Sequence, residues 1–452
     1  MSYTYELVAD ELIKDIENKV YAAGKKLPSV RELSKIYNCS NNTIVKAFDS
    51  LKNKHIIYSI PQSGFYIVEN HISNNHKMSD IINFSTGNLI IGNMNTPDLK
   101  HCLDRAVDIY TNNSLINTSG GGVESLKNVL PNYLSNFQIF TSSHNIFINL
   151  GIQQVLSIIS KMDFPNGKIK ILIEDPTYRF FSEFLRYSNL EVITIKRDEK
   201  GIDLKILEQI FKNNSIKFFY TVPRNHNPLG TSYSTKQNKE IAKLAIKHDV
   251  FIVEDDYFGD LSTDTKYDPI FSFGDRKHFI YLKSFSKILP WIRLGLSIMP
   301  DCLLESFKYQ IELSYYTSYF TASLISQATF EIYIRSGILF KHTASMKKEI
   351  KEKSILLQQN LKRLKRFDIK PIGGKNCFYF YLLLPDYIDE KKLVEALKNR
   401  KVLVSPGDRY YYDKENYKKG IRLSIACVST QEIKKGMDII VEELDKLYNY
   451  SF

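Results

Sequence analysis

The chain has 452 residues, more than one hydrophobic core usually holds, so we expect two or three domains. Its composition is globular, with 43% hydrophobic and 25% charged residues, and no stretch approaches the roughly 18 consecutive apolar residues of a membrane-spanning helix. The N-terminal residues mix acids and bases, which excludes a secretory signal and favours a cytoplasmic protein. Five scattered cysteines without metal-ligand spacing indicate neither disulfides nor a metal site.

The net charge of +11 is modest for this length, but basic residues are concentrated near the N-terminus. Between Lys25 and Val68 there are seven Lys or Arg residues and only two acidic residues. Such an excess in a short compact segment is typical of a nucleic-acid-binding domain.

Three helices and a hairpin are predicted in this N-terminal region. A first amphipathic helix over residues 5–21, ended by Gly24, is indicated by the helical spacing of Leu7, Val8, Leu12, Ile16 and Val20. Ser29 and Glu32 form an S-x-x-E capping box that opens a second helix, and Ser40 caps a third. Strand candidates at residues 56–60 and 65–68 flank a turn at residues 61–64. This order of elements predicts a winged helix-turn-helix.

The third helix is the predicted recognition helix, which enters the major groove with its N-terminal residues. Its inward side carries Ile44, Ala47, Phe48 and Leu51. We expect DNA contacts from the second helix, from the outward side of the third and from the wing, at Ser29, Arg31, Ser40, Asn41, Asn42, Thr43, Lys46, Gln62 and Gly64. The alternative is that this small unit is a protein-interaction module.

The segment LPSVRELSKIYNCSNNTIVKAFDSLKNKHII, followed by the wing SGFYIV, resembles the GntR superfamily of winged-helix regulators. The resemblance covers about the first 70 residues and implies double-stranded operator DNA as a partner. Many relatives carry arginine where this chain has Asn41, so the resemblance does not specify the operator sequence.

A polar stretch over residues 70–80 predicts an interdomain linker. Beyond it, apolar strand candidates alternate with helical segments, which predicts a mostly parallel α/β sheet. The candidates cover residues 146–150, 169–173, 192–195, 218–222, 250–253, 279–282 and 294–299. A long helical region at about 302–364 precedes a smaller α+β lobe. The predicted boundaries are 1–69 for the winged helix, 70–81 for the linker and 82–452 for the α/β domain, with a large lobe at about 82–300 and a small lobe at about 301–452.

Chemically distinctive residues follow several of these strands. Lys287 stands in Ser284-Phe285-Ser286-Lys287, with Arg293 six residues later. Asp255 closes an apolar strand, where a carboxylate is costly to bury unless a cation pairs with it or it caps a helix. Gly151, Ile152 and Gln153 open a helix whose free amides suit a phosphate.

Further candidates complete the set that pyridoxal phosphate requires: a lysine, a carboxylate for the pyridine nitrogen, groups at the phenolic oxygen, an aromatic stacker and a phosphate cradle. Tyr257 and Asn227 suit the phenolic oxygen, Tyr178 suits the ring face, and Ser284, Ser286 and Arg293 would complete the cradle. Arg422 offers the planar fork that binds an α-carboxylate, unless it is a surface arginine on a strand.

Taken in order, G-x-Q-Q, D-P-x-Y, N-P-x-G, E-D-D-Y, S-F-S-K and R-L-S resemble fold-type I, class I/II aminotransferases over residues 82–450. Together with the GntR-like head, the chain is similar to the MocR family of regulators. The resemblance implies Lys287 as Schiff-base lysine, Asp255 as pyridine partner, Asn227 and Tyr257 at the phenolic oxygen, Tyr178 as stacker and Arg422 as carboxylate clamp.

Two positions depart from the aminotransferase pattern. Asn117 stands where relatives usually carry a tyrosine that reaches the phosphate across the dimer, and the spacing from Lys287 to Arg293 is one residue shorter than in most relatives. Both departures bear on catalytic competence rather than on cofactor binding.

Three functions remain open from the sequence. The first is a homodimeric regulator that senses pyridoxal phosphate, an amino-acid-like effector or their adduct. The second is a working aminotransferase with an accessory DNA-binding head, and the third retains the cofactor as a structural element only. The basic winged helix favours the first, because it adds nothing to transamination.

Overall fold

The structure is a computed structural model that describes residues 4–18, 20–22, 24–68, 80–87, 96–110, 121–264, 266–318, 321–374 and 377–449. The chain divides into two compact units, Met1–Asp80 (unit 1) and Ile81–Phe452 (unit 2). The predicted linker at residues 70–80 lies outside the described residues except for Asp80. No helix of the described chain is both long and apolar enough to cross a bilayer.

Unit 1 is a winged helix. Its elements are α1 (Tyr5–Glu17), α2 (Val30–Ile36), α3 (Asn41–Asn53), β1 (Ile57–Ile60) and β2 (Gly64–Ile67). β1 and β2 form an antiparallel hairpin, with Ile57 opposite Ile67. A separate core that includes Leu12, Leu33, Phe48 and Leu51 holds the three helices together. The predicted helix-turn-helix with a wing is confirmed.

Local capping explains where these helices begin. Ser29 accepts a hydrogen bond from the amide of Glu32, whose carboxylate accepts one from the amide of Ser29, so the predicted capping box is present. Ser40 likewise caps α3 by accepting from the amide of Thr43 at 3.1 Å. Both signals were local, which is why they could be predicted.

The first helix is shorter than predicted. α1 ends at Glu17, and Leu7 and Val20, predicted to face inward, are 51% and 64% exposed. The buried side chains are Val8, Ala9, Leu12 and Ile16. Val8, Leu12 and Ile16 repeat every four residues, which places Leu7 beside the buried face, while Val20 follows the end of the helix.

Unit 2 begins with β3 (Ile82–Asn83), α4 (Thr96–Tyr110), α5 (Glu124–Ser135), β4 (Ile146–Asn149), α6 (Ile152–Lys161), β5 (Lys170–Asp175), α7 (Arg179–Tyr187), β6 (Val192–Asp198), β7 (Gly201–Ile202), α8 (Leu204–Asn213), β8 (Ile216–Thr221), α9 (Thr235–Lys247), β9 (Phe251–Asp255), β10 (Phe279–Ser284) and β11 (Gly295–Ile298). It continues with α10 (Leu304–Ser318), α11 (Leu324–Arg335), α12 (Ile338–Leu361), β12 (Lys370–Gly373), β13 (Tyr379–Leu383), α13 (Glu390–Asn399), β14 (Val402–Leu403), β15 (Ser405–Pro406), β16 (Gly420–Ser424) and α14 (Thr430–Asn449).

Eight strands form the large sheet in the order β4-β11-β10-β9-β8-β5-β6-β7. Strands β10, β9, β8, β5 and β6 run parallel, whereas β11 is antiparallel to both its neighbours and β7 is antiparallel to β6. The central strands are buried on both faces, which explains their continuous apolar sequences. All seven predicted strands are present, and β7 is an additional two-residue strand.

The smaller lobe contains the antiparallel sheet β12-β13-β16-β15. Residues 82–83, which the predicted boundaries place in the large lobe, pair in parallel with β14. The amide of Ser424, at the end of β16, donates to the carbonyl oxygen of Phe84 at 2.8 Å. The first residues of unit 2 are thus hydrogen-bonded to its C-terminal part.

Candidate functional site

Three strand ends of the large sheet meet at one edge. Ser284 at the end of β10 lies opposite Gly295, which lies opposite Asn149 at the end of β4, and Asp255 at the end of β9 lies opposite Leu282. Because β4, β9 and β10 run in the same direction, the residues that follow them gather at the carboxyl edge, where α/β sheets bind ligands. We call the group Lys287, Asp255, Asn227 and Arg422 the lysine site.

Lys287 follows β10 by three residues and is half-buried. Its Nζ donates a hydrogen bond to the carbonyl oxygen of Gly87 at 2.8 Å. Burial, and next the positive charge of Arg422, lower the pKa of Lys287 to about 8. A larger fraction of this amine is therefore neutral near physiological pH than for an exposed lysine.

Asp255 is buried at the end of β9. Its Oδ2 accepts a hydrogen bond from the hydroxyl of Tyr220 at 2.7 Å, whereas its Oδ1 is buried without a hydrogen-bond partner among the described residues. Burial raises the pKa of Asp255 to about 7, against the lowering effect of Tyr220. The helix-cap alternative is wrong, because Asp255 ends a strand and the helical turn that follows it, Gly259–Leu261, begins after Phe258. The unpartnered oxygen suits a cationic or N–H group.

Arg422 lies on β16 and is buried, so the surface-arginine alternative is wrong. Its Nη1 donates to Asn227 Oδ1 at 2.9 Å, and its Nη2 donates to the carbonyl oxygen of Ser85. The guanidinium carbon lies 4.4 Å from the ring centroid of Tyr379 and 5.1 Å from that of Tyr410. These contacts fix the plane of the guanidinium, as a bidentate carboxylate clamp requires.

The N-terminus of α6 is open at Gly151. This residue has φ +124°, and a Cβ built there would meet no atom within 4 Å. The amides of Ile152 and Gln153 belong to the first turn, where helices bind anions. The predicted cradle residues Ser284 and Ser286 lie together, with their hydroxyl oxygens 3.2 Å apart.

The predicted ring contacts are placed as follows. Tyr178 is half-buried before α7; burial first, and then the charge of Asp255, raise its pKa, while Arg293 acts in the opposite direction. The Tyr257 hydroxyl donates to the carbonyl oxygen of Asn225, whereas the Asn227 amide pairs with Arg422. Asn117 lies outside the described residues.

Several residues of the site were missed from the sequence. Ser85 and Gly87 contribute backbone carbonyl oxygens, which cannot be inferred from the type of residue. A Cβ on Gly87 would lie 1.9 Å from the Tyr379 hydroxyl oxygen. The glycine therefore indicates a close approach to this tyrosine, but only once the position of Tyr379 is known. Tyr220 lies within a predicted strand and is opposite Val253, two residues before Asp255 on the neighbouring strand. Knowing that β8 pairs with β9 would therefore have identified Tyr220 as a neighbour of Asp255.

The predicted DNA contacts lie mainly on exposed parts of unit 1. Asn41, Asn42 and Lys46 on α3, Arg31 on α2 and Gln62 at the wing tip are exposed. The remaining predicted contacts are held locally: the hydroxyls of Ser29 and Ser40 are engaged in the helix caps, Thr43 Oγ1 lies 2.9 Å from Ser40 Oγ, and Gly64 begins β2.

Residues 4–67 match the model of the gntR family of bacterial regulatory proteins, and residues 79–440 match that of aminotransferase class I and II. The HTH-type transcriptional regulator YcxD of Bacillus subtilis is 36% identical over 95% of this chain and 97% of its own length. The HTH-type transcriptional regulator NorG of Staphylococcus aureus is 26% identical over 94% of this chain and 99% of its own.

Solved structures resemble unit 2. A Pyrococcus horikoshii kynurenine aminotransferase, in complex with PMP, has a TM-score of 0.72 at 25% identity and covers 82% of this chain and 92% of its own. The α-aminoadipate aminotransferase LysN of Thermus thermophilus, complexed with a phosphopyridoxyl-leucine compound, shares the fold at 19% identity, with a TM-score of 0.73 over 82% and 93% of the two chains. With a GntR winged helix joined to an aminotransferase class I and II domain, and with relatives that share both, the chain belongs to the MocR-type GntR transcription regulators.

Proposed function

We propose that unit 2 binds pyridoxal phosphate at the lysine site, and that an amino compound arriving there changes the affinity of the regulator for its operator. The observation that carries this proposal is a convergence of three features on one edge of the sheet. They are the carboxylate oxygen of Asp255 that is buried without a partner, the lowered pKa of Lys287, and the open N-terminus of α6.

The residues present suit the cofactor. Asp255 Oδ1 would pair with the pyridine nitrogen, and a cation there would lower the pKa of Asp255 and keep it ionised. The amides of Ile152 and Gln153, with Ser284, Ser286 and Arg293, would hold the phosphate. Tyr178 would stack on the ring face, and Tyr257 and Asn227 would lie at the phenolic oxygen. The bound cofactor supplies an aldehyde that bonds to primary amines and a ring that withdraws electrons.

The neighbouring residues suit an amino acid. Lys287 presents its amine where a second amine would compete with it, and Arg422 presents two N–H groups that now donate to Asn227 and Ser85. A carboxylate is a stronger acceptor for a guanidinium than either neutral oxygen. We therefore favour an effector with both an amino and a carboxylate group.

The first residues of unit 2 connect this site to the chain of unit 1. Segment 81–87 begins at the boundary between the units, and the carbonyl oxygens of Ser85 and Gly87 accept from Arg422 and Lys287. An effector that engages both side chains would compete for both hydrogen bonds. Coupling between effector and operator then has a physical route, through the segment that continues the chain from unit 1.

We also propose that the protein is a homodimer, because paired winged helices match the two half-sites of a symmetric operator. Light scattering of the full chain with pyridoxal phosphate should give twice the monomer mass. A monomer mass would overturn this part of the proposal alone.

The test is an operator titration of the full chain without cofactor, with pyridoxal phosphate, and with the cofactor plus each of a panel of amino acids. We expect one effector to change operator affinity by about 5- to 150-fold, the usual range of allosteric coupling. Lys287→Ala and Arg422→Ala should abolish the change, while exposed Arg363→Ala should keep it. Equal affinity in every state would exclude sensing, and amino-donor turnover of about 1 to 1000 per second would favour the aminotransferase alternative.

A further inference from the structure

The exposed side of the first two turns of α3 has an unusual composition for a DNA-reading surface. It carries Asn41, Asn42, Val45 and Lys46, which we call the recognition stripe. Val45 is apolar, yet it is 42% exposed, whereas Ile44 immediately before it and Ala47 two residues after it are buried. This position therefore does not serve the core of unit 1.

The charges on α3 limit where DNA can lie. The cationic residues of α3 are Lys46 and Lys52, and exposed Asp49, one turn beyond Val45, lies between them. A carboxylate there repels the phosphate backbone. Within the first two turns of α3, Lys46 is available to a phosphate beside the recognition stripe, on the N-terminal side of Asp49.

The chemistry of the recognition stripe selects among base pairs. In the major groove, asparagine matches the N6 and N7 atoms of adenine, apolar groups match the thymine methyl, and guanine is read mostly by arginine or lysine. Val45 lies three and four residues after Asn42 and Asn41, so all three side chains lie on neighbouring parts of one helix surface.

We propose that α3 reads A·T base pairs, with Val45 packed against a thymine methyl beside an adenine held by Asn41 or Asn42. This inference rests on the DNA-binding role of unit 1 and adds the identity of the bases it contacts. Val45 is then the residue of the recognition stripe that selects thymine, through contact with its methyl group.

The experiment begins by selecting operator sequences from random DNA with the full-length protein. Each thymine of the selected half-site is then replaced by uracil, which lacks only the methyl group. We expect one position where this replacement weakens binding by about fourfold, as burial of about one methyl-sized group predicts. In Val45→Ala the same replacement should have a smaller effect, because the shorter side chain covers less of the thymine methyl.

Val20→Ala provides the matched control, since Val20 is an exposed valine of unit 1 outside α3. It should retain the wild-type uracil effect. The inference would be overturned by selected half-sites read at G·C pairs, by the lack of a uracil-sensitive thymine, or by a uracil effect that is undiminished in Val45→Ala. Each of these results would leave a DNA-binding regulator. Failure to enrich any sequence would overturn the DNA-binding role together with the inference. We expect both variants to unfold at the same temperature as the wild type. Any difference in DNA binding between them would then come from the loss of a contact with DNA and not from a loss of folding.

Discussion

The recognition stripe and the lysine site differ in how the chain builds them. The four residues of the stripe lie within six consecutive positions, are exposed, and take their geometry from the period of one helix. The lysine site brings together residues 227, 255, 287 and 422, each of them buried or half-buried, and takes its geometry from the register of a sheet. Substitutions in the stripe should therefore change binding with little effect on stability, whereas substitutions in the lysine site should change both.

The largest expected effect is at Lys287. If the lysine site holds pyridoxal phosphate covalently, Lys287→Ala should lose all attachment that borohydride makes permanent, because Lys283, the other lysine near the end of β10, is paired with Asp260 at 2.7 Å. Visible absorbance before reduction and intact mass after reduction measure this attachment. Lys277→Ala, an exposed lysine ten residues earlier, should keep the wild-type mass increase; an adduct surviving in Lys287→Ala would refute the assignment.

Asp255→Asn tests the cost of burying a charge in the lysine site. Folding raises the pKa of Asp255 from about 4 to about 7, so between these pH values the folded protein holds a proton that the unfolded chain has released. Rising pH through this interval thus weakens the cofactor-free protein. We expect Asp255→Asn to be more stable by about 2–4 kcal/mol at pH 8, with the advantage vanishing toward pH 4.

Urea unfolding at pH 4, 6 and 8 measures this difference. Burial also raises the pKa of Glu254 to about 8, so Glu254 weakens the wild type and Asp255→Asn alike as the pH rises. Its contribution cancels in the difference in stability between the two proteins. Pyridoxal phosphate should reverse the order of stability, since the variant lacks the carboxylate for the ring nitrogen. A pH-independent difference would show that Asp255 is not the titrating group.

Lys46→Ala tests the role of an exposed charge, in contrast to the buried charge of Asp255. We expect weaker binding to all DNA sequences and a salt dependence reduced by about one unit in the slope of log affinity against log salt concentration, as for loss of one phosphate contact. Lys14→Ala, exposed on α1, is the control. An unchanged slope would remove Lys46 from the DNA contacts.

The smallest expected effect is at Ser29, which was predicted both to cap α2 and to contact DNA. Ser29→Ala should lower the free energy of unfolding by about 1 kcal/mol, whereas Ser29→Asp should preserve the cap. Weaker operator binding by Ser29→Asp with unchanged stability would assign Ser29 a place near a phosphate. Equal binding by wild type and Ser29→Asp would restrict it to capping.

Sequence patterns predicted the winged helix, the strands and the side chains at the sheet edge, because caps, periodicity and strand ends are local. They missed the early end of α1, since Val20 continues the apolar spacing beyond Glu17. They also missed Ser85, Gly87 and Tyr220, because a backbone acceptor has no residue signature and the Tyr220–Asp255 contact depends on which strands are neighbours. The pairing of Asn227 with Arg422 likewise required the two lobes to be placed together.

The position of segment 81–87 has a consequence for exchanging DNA-binding heads between related regulators. Ser85 and Gly87, five and seven residues beyond the unit boundary at Asp80, are part of the wall of the lysine site. A chimera joined before residue 81 keeps the receptor of this protein intact. A donor head that brings its own residues as far as 87 also replaces acceptors for Arg422 and Lys287, so it transplants part of the ligand preference along with the operator preference.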